Sequence, residues 1–160
     1  MIEIALYQPD IPPNTGTILR MGACFGLTVH IIEPAGFQWA DSAFRRAGLD
    51  YLDRTRLIRH RSWATFRCET DSRRLILLTT KASLPYTAFA FCPRDIILMG
   101  RETSGVPADV HAEASARLVI PMAPGNRSLN VALACAIVTG EALRQLDGYR
   151  KLNLSAGQVE

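Results

Sequence analysis

Short apolar runs alternate along the chain with segments whose apolar residues recur every three or four positions. The apolar runs predict strands, and the helical spacing predicts helices between them. The predicted strands are 2–7, 28–33, 55–59, 75–80, 95–100 and 117–121, and the predicted helices are 15–25, 40–47, 62–69, 107–113 and 128–146. Such alternation is typical of an α/β fold, a mostly parallel sheet flanked by helices.

Three predicted strands run into loops of unusual sequence. We call PDIPPNTG (9–16) the first loop, GRETSGVP (100–107) the second loop and PMAPGNRSLN (121–130) the third loop. Ligands of open parallel sheets bind where the strands end at their carboxyl edge. These loops therefore form the predicted functional site.

The loops lack the signatures of nucleotide phosphate binding. GxGxxG is absent, and although Gly100 and Gly105 have the spacing of a P-loop, Val106 and Pro107 stand where Lys and Ser or Thr are required. We therefore expect neither a dinucleotide-binding protein nor an NTPase. Any cofactor should lack a polyphosphate and be held by the backbone of the loops.

Each loop residue with candidate chemistry also has a structural interpretation. Arg20 places a cation one turn beyond Gly16, but it could be a solvated helix residue, with Asn14 or Thr15 merely capping the helix. Glu102 could be an exposed loop carboxylate, and Ser128 could cap a core helix. From the residues alone, these alternatives stay open.

The last predicted helix is apolar nearly all round over 131–138. A helix like this must be covered on several sides. It is either a central core helix or a helix that meets a second subunit, and a domain of 160 residues has little interior to surround it. We predict a homodimer.

Length and composition limit the kinds of protein that this chain can be. The chain has 160 residues, 48% of them apolar, and no repeat or linker divides it, so we predict one domain over 1–154 and a tail over 155–160. The longest apolar run has eight residues, far fewer than the ~20 of a membrane span. The start lacks a signal-peptide pattern, so a cytoplasmic protein is expected. Four scattered cysteines and three scattered histidines disfavour a metal site or disulfides.

The basic residues are unusual in kind and in place. Of the 18, 16 are Arg, and nine lie between Arg45 and Arg74 against four acidic residues, an excess of five positive charges. Arginine binds phosphate bidentately, so a polyanionic partner is plausible. The alternative is a coding bias toward Arg on a solvated surface.

The segments NTGTILR, IILMGRETSGVP and LVIPMAPGNRSLNVALACAIVTGEALRQ resemble, in order, the three motifs of the SPOUT superfamily of RNA methyltransferases. The similarity extends through HIIEPAGFQWADSAFRRAGLDY and LTTK, and thus over nearly the whole chain. It is greatest to the small tRNA (cytidine/uridine) 2′-O-methyltransferases, the TrmL-like group, which modify the ribose of the wobble nucleotide.

The resemblance implies a C-terminal deep trefoil knot, a homodimer, S-adenosylmethionine as cofactor and a tRNA anticodon arm as substrate. It places catalytic or RNA-facing roles on Asn14, Arg20, Glu102, Ser128 and Asn130. It places cofactor contacts on Leu78, Thr79, Met99, Gly100, Ile120, Met122, Ser128 and Leu129. Because a guanidinium is a poor proton acceptor, we expect Arg20 to clamp phosphate. Because the arginine loop and the knot need not face each other within one chain, we expect Arg20 to act in the partner's site.

The chain departs from the family pattern at Ala132, Leu133 and Gly140. The departures at Ala132 and Leu133 support a rival, a non-catalytic dimeric RNA-binding module of the same fold. A ribosomal RNA 2′-O-methyltransferase is a third interpretation. Phe37, Trp39 and Tyr51 either stack on anticodon bases or belong to the core.

Overall fold

The computed structural model describes residues 1–38 and 55–152, which form one sheet flanked by helices. The strands are β1 Glu3–Tyr7, β2 Thr28–Ile32, β3 Arg56–His60, β4 Leu75–Leu78, β5 Leu84–Pro85, β6 Ile96–Met99 and β7 Ala116–Val119. The helices are α1 Pro12–Phe25, α2 Trp63–Thr70, α3 Ala108–Glu113 and α4 Val131–Gln145, with 3₁₀ turns at Tyr86–Ala88 and Gly148–Lys151. The predicted helix 40–47 lies outside the described residues, as do Trp39 and Tyr51.

The strand order is β3-β2-β1-β6-β4-β7-β5, and all the strand pairs are parallel. The predicted α/β class is therefore confirmed. Strands such as EIALY, TVHII and IILM are almost continuously apolar because both faces of the sheet are covered. One apolar cluster includes residues of α1 and α4, and the other includes residues of α2 and α3.

Both helices that adjoin the predicted site begin elsewhere than predicted. α1 starts at Pro12, a turn before the predicted residue 15. Prolines are tolerated in the first turn because the backbone N–H groups there have no intrahelical acceptor, so the missing N–H of proline costs nothing. Its N-cap is Ile11, without a side-chain cap, so the capping interpretation of Asn14 and Thr15 is wrong. α4 starts at Val131 and is capped by Asn130, so the capping interpretation of Ser128 is wrong too.

Two of the scattered histidines meet inside the sheet. His30 Nδ1 and His60 Nε2 are 2.8 Å apart, and His30 Nε2 lies 2.6 Å from the Glu3 carboxylate. Burial, with the neighbouring His30, lowers the pKa of His60. These imidazoles therefore join β1, β2 and β3 by hydrogen bonds rather than serving the predicted site.

Much of the predicted basic segment is neutralised within the chain. Arg59 pairs with Glu33, Arg73 with Glu3, and Arg74 with the buried Asp95. Arg67 Nε lies 3.0 Å from a Glu113 carboxylate oxygen. Arg45, Arg46 and Arg54 lie outside the described residues. Most of the described arginines here are thus structural, which reduces the charge available to a partner.

Gly140, one of the departures from the family pattern, lies next to Tyr149. Tyr149 packs edge-on against Phe25 with ring centroids 5.9 Å apart, and its hydroxyl donates to the Gly140 carbonyl at 3.4 Å. A Cβ at position 140 would lie 3.4 Å from that hydroxyl oxygen, an ordinary van der Waals contact. Tyr149 thus covers α4 at Gly140 without requiring glycine there.

No helix among the described residues is long and apolar enough to cross a membrane.

Phe66 should be a major source of stability because its ring is fully buried between α2 and the sheet, in contact with His30, His60 and Trp63. We expect Phe66→Ala to lower the free energy of unfolding by about 3–5 kcal/mol, as large cavities in cores do. Ile58→Val, at an exposed position of β3, should change it by less than about 0.5 kcal/mol. Urea unfolding of both variants measures this, and equal midpoints would contradict the packing described.

Candidate active site

A cavity of about 540 Å³ opens at the carboxyl edge of the sheet. Its walls come from the second and third loops, from the end of β4 and from the start of α1. The volume is within the roughly 300–1,000 Å³ that small-molecule sites occupy. The prediction that the three loops converge at one edge is therefore confirmed by the geometry.

The structure brings nearly all the predicted site residues to this cavity. The predicted cofactor contacts that line it are Leu78, Thr79, Met99, Gly100, Ile120, Met122, Ser128 and Leu129. Among the predicted catalytic residues, Asn14, Glu102, Ser128 and Asn130 line it as well. Arg20 does not. It lies on the exposed side of α1, nearly two turns beyond Asn14.

One side-chain amide joins the three loops. Asn14 Nδ2 donates to Glu102 Oε1 at 3.1 Å, and Asn14 Oδ1 accepts from Asn130 Nδ2 at 3.0 Å. The other oxygen of Glu102 accepts from the backbone N–H of Asp10 at 2.8 Å. Asn130 Oδ1 accepts from the N–H groups of Ala132 and Leu133 and so caps α4. Glu102 and Asn130 thereby position their loops rather than standing free in solvent.

The second loop is closed by its own backbone. Arg101 and Gly105 exchange two N–H···O bonds of 2.9 Å. A Cβ on Gly100 would lie 2.7 Å from the carbonyl carbon of Gly105, and Gly105 has φ +70°, a left-handed conformation. Only glycine suits both positions, so the loop presents backbone rather than side chains to this part of the cavity.

Sequence reasoning missed the ion pair that anchors this loop. Arg101 Nη2 donates to Asp10 Oδ1 at 2.5 Å, and Thr103 Oγ1 donates to Asp10 Oδ2 at 2.7 Å. These hydrogen bonds, that of Arg101 foremost, lower the pKa of Asp10. The two loops are 91 residues apart in sequence, so no local pattern signals the pairing.

The residues that line the cavity include three cationic ones, Lys81, Arg101 and Arg127. Within residues 1–38 and 55–152, no three His, Cys, Asp or Glu side chains are grouped so that they could hold a metal ion.

The fold and the site together define a class: parallel α/β proteins that bind a small molecule in loops at the carboxyl edge of the sheet. Comparison with known families then makes the assignment specific. The model of the SpoU rRNA methylase family matches residues 1–140, and the chain belongs to that family.

Individual relatives are similar over almost their whole length. A tRNA (cytidine(34)-2′-O)-methyltransferase of Beijerinckia indica is 60% identical over 93% of this chain and 94% of its own. A solved structure described as giving insight into 2-OH methylation of C/U34 on tRNA is 36% identical, with TM-score 0.88 over 92% of this chain and 97% of its own. An AdoMet-bound rRNA methyltransferase of Sinorhizobium meliloti is 25% identical, with TM-score 0.81 over 91% of this chain and 56% of its own.

The pairing of Asp10 with Arg101 predicts a pH dependence. Because the pKa of Asp10 in the folded protein lies below its ordinary value of 3.8, the carboxylate stabilises the fold above that value and ceases to do so as the pH falls through the lowered pKa. Asp10→Asn should therefore unfold at a lower temperature than the unchanged chain at pH 7, and the difference should shrink toward pH 3. Thermal melts across this range measure it, and a constant difference would count against the ion pair.

Proposed function

We propose that this chain transfers a methyl group from S-adenosylmethionine to the ribose 2′-hydroxyl of the wobble nucleotide, cytidine or uridine 34, of tRNA. The observation that carries the proposal is the convergence of the three loops on one cavity, joined through Asn14. The relatives described above, named for this reaction, support the choice of substrate. The reaction would take place in the cytoplasm, where tRNA is found.

The cavity suits the proposed cofactor. S-adenosylmethionine carries no phosphate, in agreement with the missing phosphate-binding loop, and when bound it supplies an electrophilic methyl group on a sulfonium sulfur. The closely approaching Gly100 and Gly105 leave room for backbone contacts, as expected for Met99 and Gly100. Leu78, Thr79, Ile120, Met122 and Leu129 would provide the remaining contacts, and Ser128 would orient cofactor and ribose.

Arg20 would act on the RNA rather than on the cofactor. Its guanidinium can only donate hydrogen bonds, so it would bind the phosphate next to the target ribose and stabilise the charge that develops on the 2′ oxygen. The hydroxyl proton would pass to solvent. Asn14 and Asn130, held together at the cavity, would position the ribose.

The position of Arg20 outside the cavity supports a homodimer in which this residue completes the partner's site. The exposed face of α4 adds to the argument, since Leu133 and Ile137, one turn apart, are 59% and 39% exposed. Leu133 is one of the departures from the family pattern, and its apolar side chain suits burial against a second subunit. A monomer would then be inactive.

The C-terminal part of the chain would form the trefoil knot that the family resemblance implies. β7 lies between β4 and β5 in the sheet, and α4 packs back against α1 and β6. Because β7 lies between two strands that precede it in the chain, the C-terminal segment inserts between elements already in place. This arrangement is compatible with a knot, in which that segment passes through a loop of the chain. We further propose one domain through residue 154, with a tail after it.

The anticodon arm would be held through phosphates, by Arg56 and Arg61 on the exposed surface of the basic segment and by Lys81 and Arg127 at the cavity. Phe37 packs against the apolar core, which favours its core interpretation over base stacking.

The decisive experiment incubates the purified chain with labelled S-adenosylmethionine and, in separate reactions, with total tRNA or ribosomal RNA, and maps the methylated nucleotide. We expect label on the 2′ oxygen of nucleotide 34. Cofactor binding without transfer to any RNA would favour the non-catalytic binding module, and transfer to ribosomal RNA alone would favour the third interpretation.

Arg20→Ala should reduce methyl transfer by about 100-fold or more, since removing one charge-stabilising donor typically costs that much. Its dissociation constant for the cofactor should stay within about twofold, because Arg20 is outside the cavity. Arg150→Ala, at a side chain 84% exposed, is the matched charge control and should retain activity. Calorimetry and single-turnover assays measure the two quantities, and weakened cofactor binding with unchanged turnover would contradict the assigned role.

A further inference from the structure

Asp10 binds three consecutive residues of the second loop, although it does not itself line the cavity. Its carboxylate accepts hydrogen bonds from Arg101 Nη2 at 2.5 Å and from Thr103 Oγ1 at 2.7 Å. Its backbone N–H donates to Glu102 Oε2 at 2.8 Å. No motif predicted this residue, and the proposed mechanism does not use it.

The second loop is a closed unit whose attachment to the first loop is separate from its internal bonds. Arg101 and Gly105 exchange two backbone hydrogen bonds, which close the loop on itself without joining it to the first loop. Both loops lie within the described residues, and the only other hydrogen bond between them is that of Asn14 with Glu102. The position of the closed loop relative to the first loop therefore depends mainly on Asp10.

Asp10 is in turn held from its other side. The Gly36 N–H donates to the Pro9 carbonyl at 2.8 Å. A Cβ on Gly36 would lie 3.0 Å from Asp10 Oδ1 and 3.1 Å from Asp10 Cα, so the segment that follows β2 packs closely over Asp10. The Asp10 side chain is only 13% exposed. Because water screens it less, its ion pair is stronger than one on an open surface.

The loop that Asp10 holds is one wall of the cavity. Residues 99–106 all line it, and they include the expected cofactor contacts Met99 and Gly100. A loop that moves as a unit changes the direction of every backbone group that it presents. A site whose parts are in place before the ligand arrives loses less entropy on binding, and so binds more tightly.

We propose that Asp10 is a positioning residue for the cofactor, which holds the second loop, through Arg101 and Thr103, in the conformation that binds S-adenosylmethionine. This inference rests on the proposed function. Without the carboxylate, the loop is fixed in place only when the cofactor binds, so the affinity for the cofactor falls. Methyl transfer follows binding and keeps its rate.

Calorimetric binding of S-adenosylhomocysteine and the kinetics of methyl transfer to tRNA test this role. Asp10→Ala should bind S-adenosylhomocysteine about five- to thirtyfold more weakly, the effect of one or two side chains that must be immobilised on binding. Its KM for S-adenosylmethionine should rise by a similar factor, whereas kcat with saturating substrates should stay within about twofold. If Asp10→Ala does not fold, Asp10→Asn keeps the size of the side chain and should lose about threefold or more.

Asp95→Asn is the matched control. It breaks the ion pair of Asp95 with Arg74 at the amino end of β6, the opposite edge of the sheet from the cavity. Thermal melts should show that this variant is less stable than the unchanged chain, but it should bind S-adenosylhomocysteine within about twofold as tightly. Equal weakening of binding by the control and by Asp10→Ala would trace the effect to general destabilisation and overturn the assignment.

Arg101→Met, alone and combined with Asp10→Ala, tests whether Asp10 acts through Arg101. The double variant should bind S-adenosylhomocysteine no more weakly than Asp10→Ala does, because both changes break the same contact. Losses that multiply in the double variant, unchanged affinity of Asp10→Ala, or a fall in its kcat with unchanged KM would overturn the role of Asp10 alone. Absence of any binding by the unchanged chain would overturn the proposed function, and this inference with it.

Discussion

The candidate site depends on one amide, that of Asn14, which donates to Glu102 and accepts from Asn130. An amide is suited to this place because it offers a donor and an acceptor at once. A carboxylate would repel Glu102, and an apolar residue would leave both partners without hydrogen bonds. Because Asn130 also caps α4, the same contact sets where the last helix begins relative to the first loop.

The sheet supplies the frame within which that amide can act. The paired registers of β1, β6, β4 and β7 bring their carboxyl ends to one edge, and each of the three loops leaves from that edge. Packed apolar clusters on both faces hold the strands in this register. The site therefore needs little local stability of its own: a few hydrogen bonds between loops suffice once the strand ends are fixed.

The count of charged residues predicted the binding surface less well than the loop sequences predicted the cavity. The excess of arginine between residues 45 and 74 suggested a polyanion-binding surface, yet Arg59, Arg67, Arg73 and Arg74 pair with carboxylates of the same chain. Those carboxylates include Glu3, Glu33, Asp95 and Glu113, all outside the segment. A local count cannot include partners that the fold brings from elsewhere. Among the described arginines of this segment, only Arg56 and Arg61 remain as candidate phosphate contacts.

Apolar runs and turn residues are local signals, so residue order was enough to predict the α/β class, nearly every strand and the three loops around the cavity. The sequence prediction missed the two-residue β5 and misplaced the starts of α1 and α4. Prolines occur both in loops and in the first turn of a helix, and several polar residues before α4 could serve as its cap, so these starts could not be located from the sequence. No sequence pattern predicted the hydrogen bond between Asn14 and Asn130 or the pairing of Asp10 with Arg101. Each contact joins side chains of loops that are far apart in sequence. Strand order and helix packing bring these loops together, and the spacing of residues along the chain does not reveal which loops will meet.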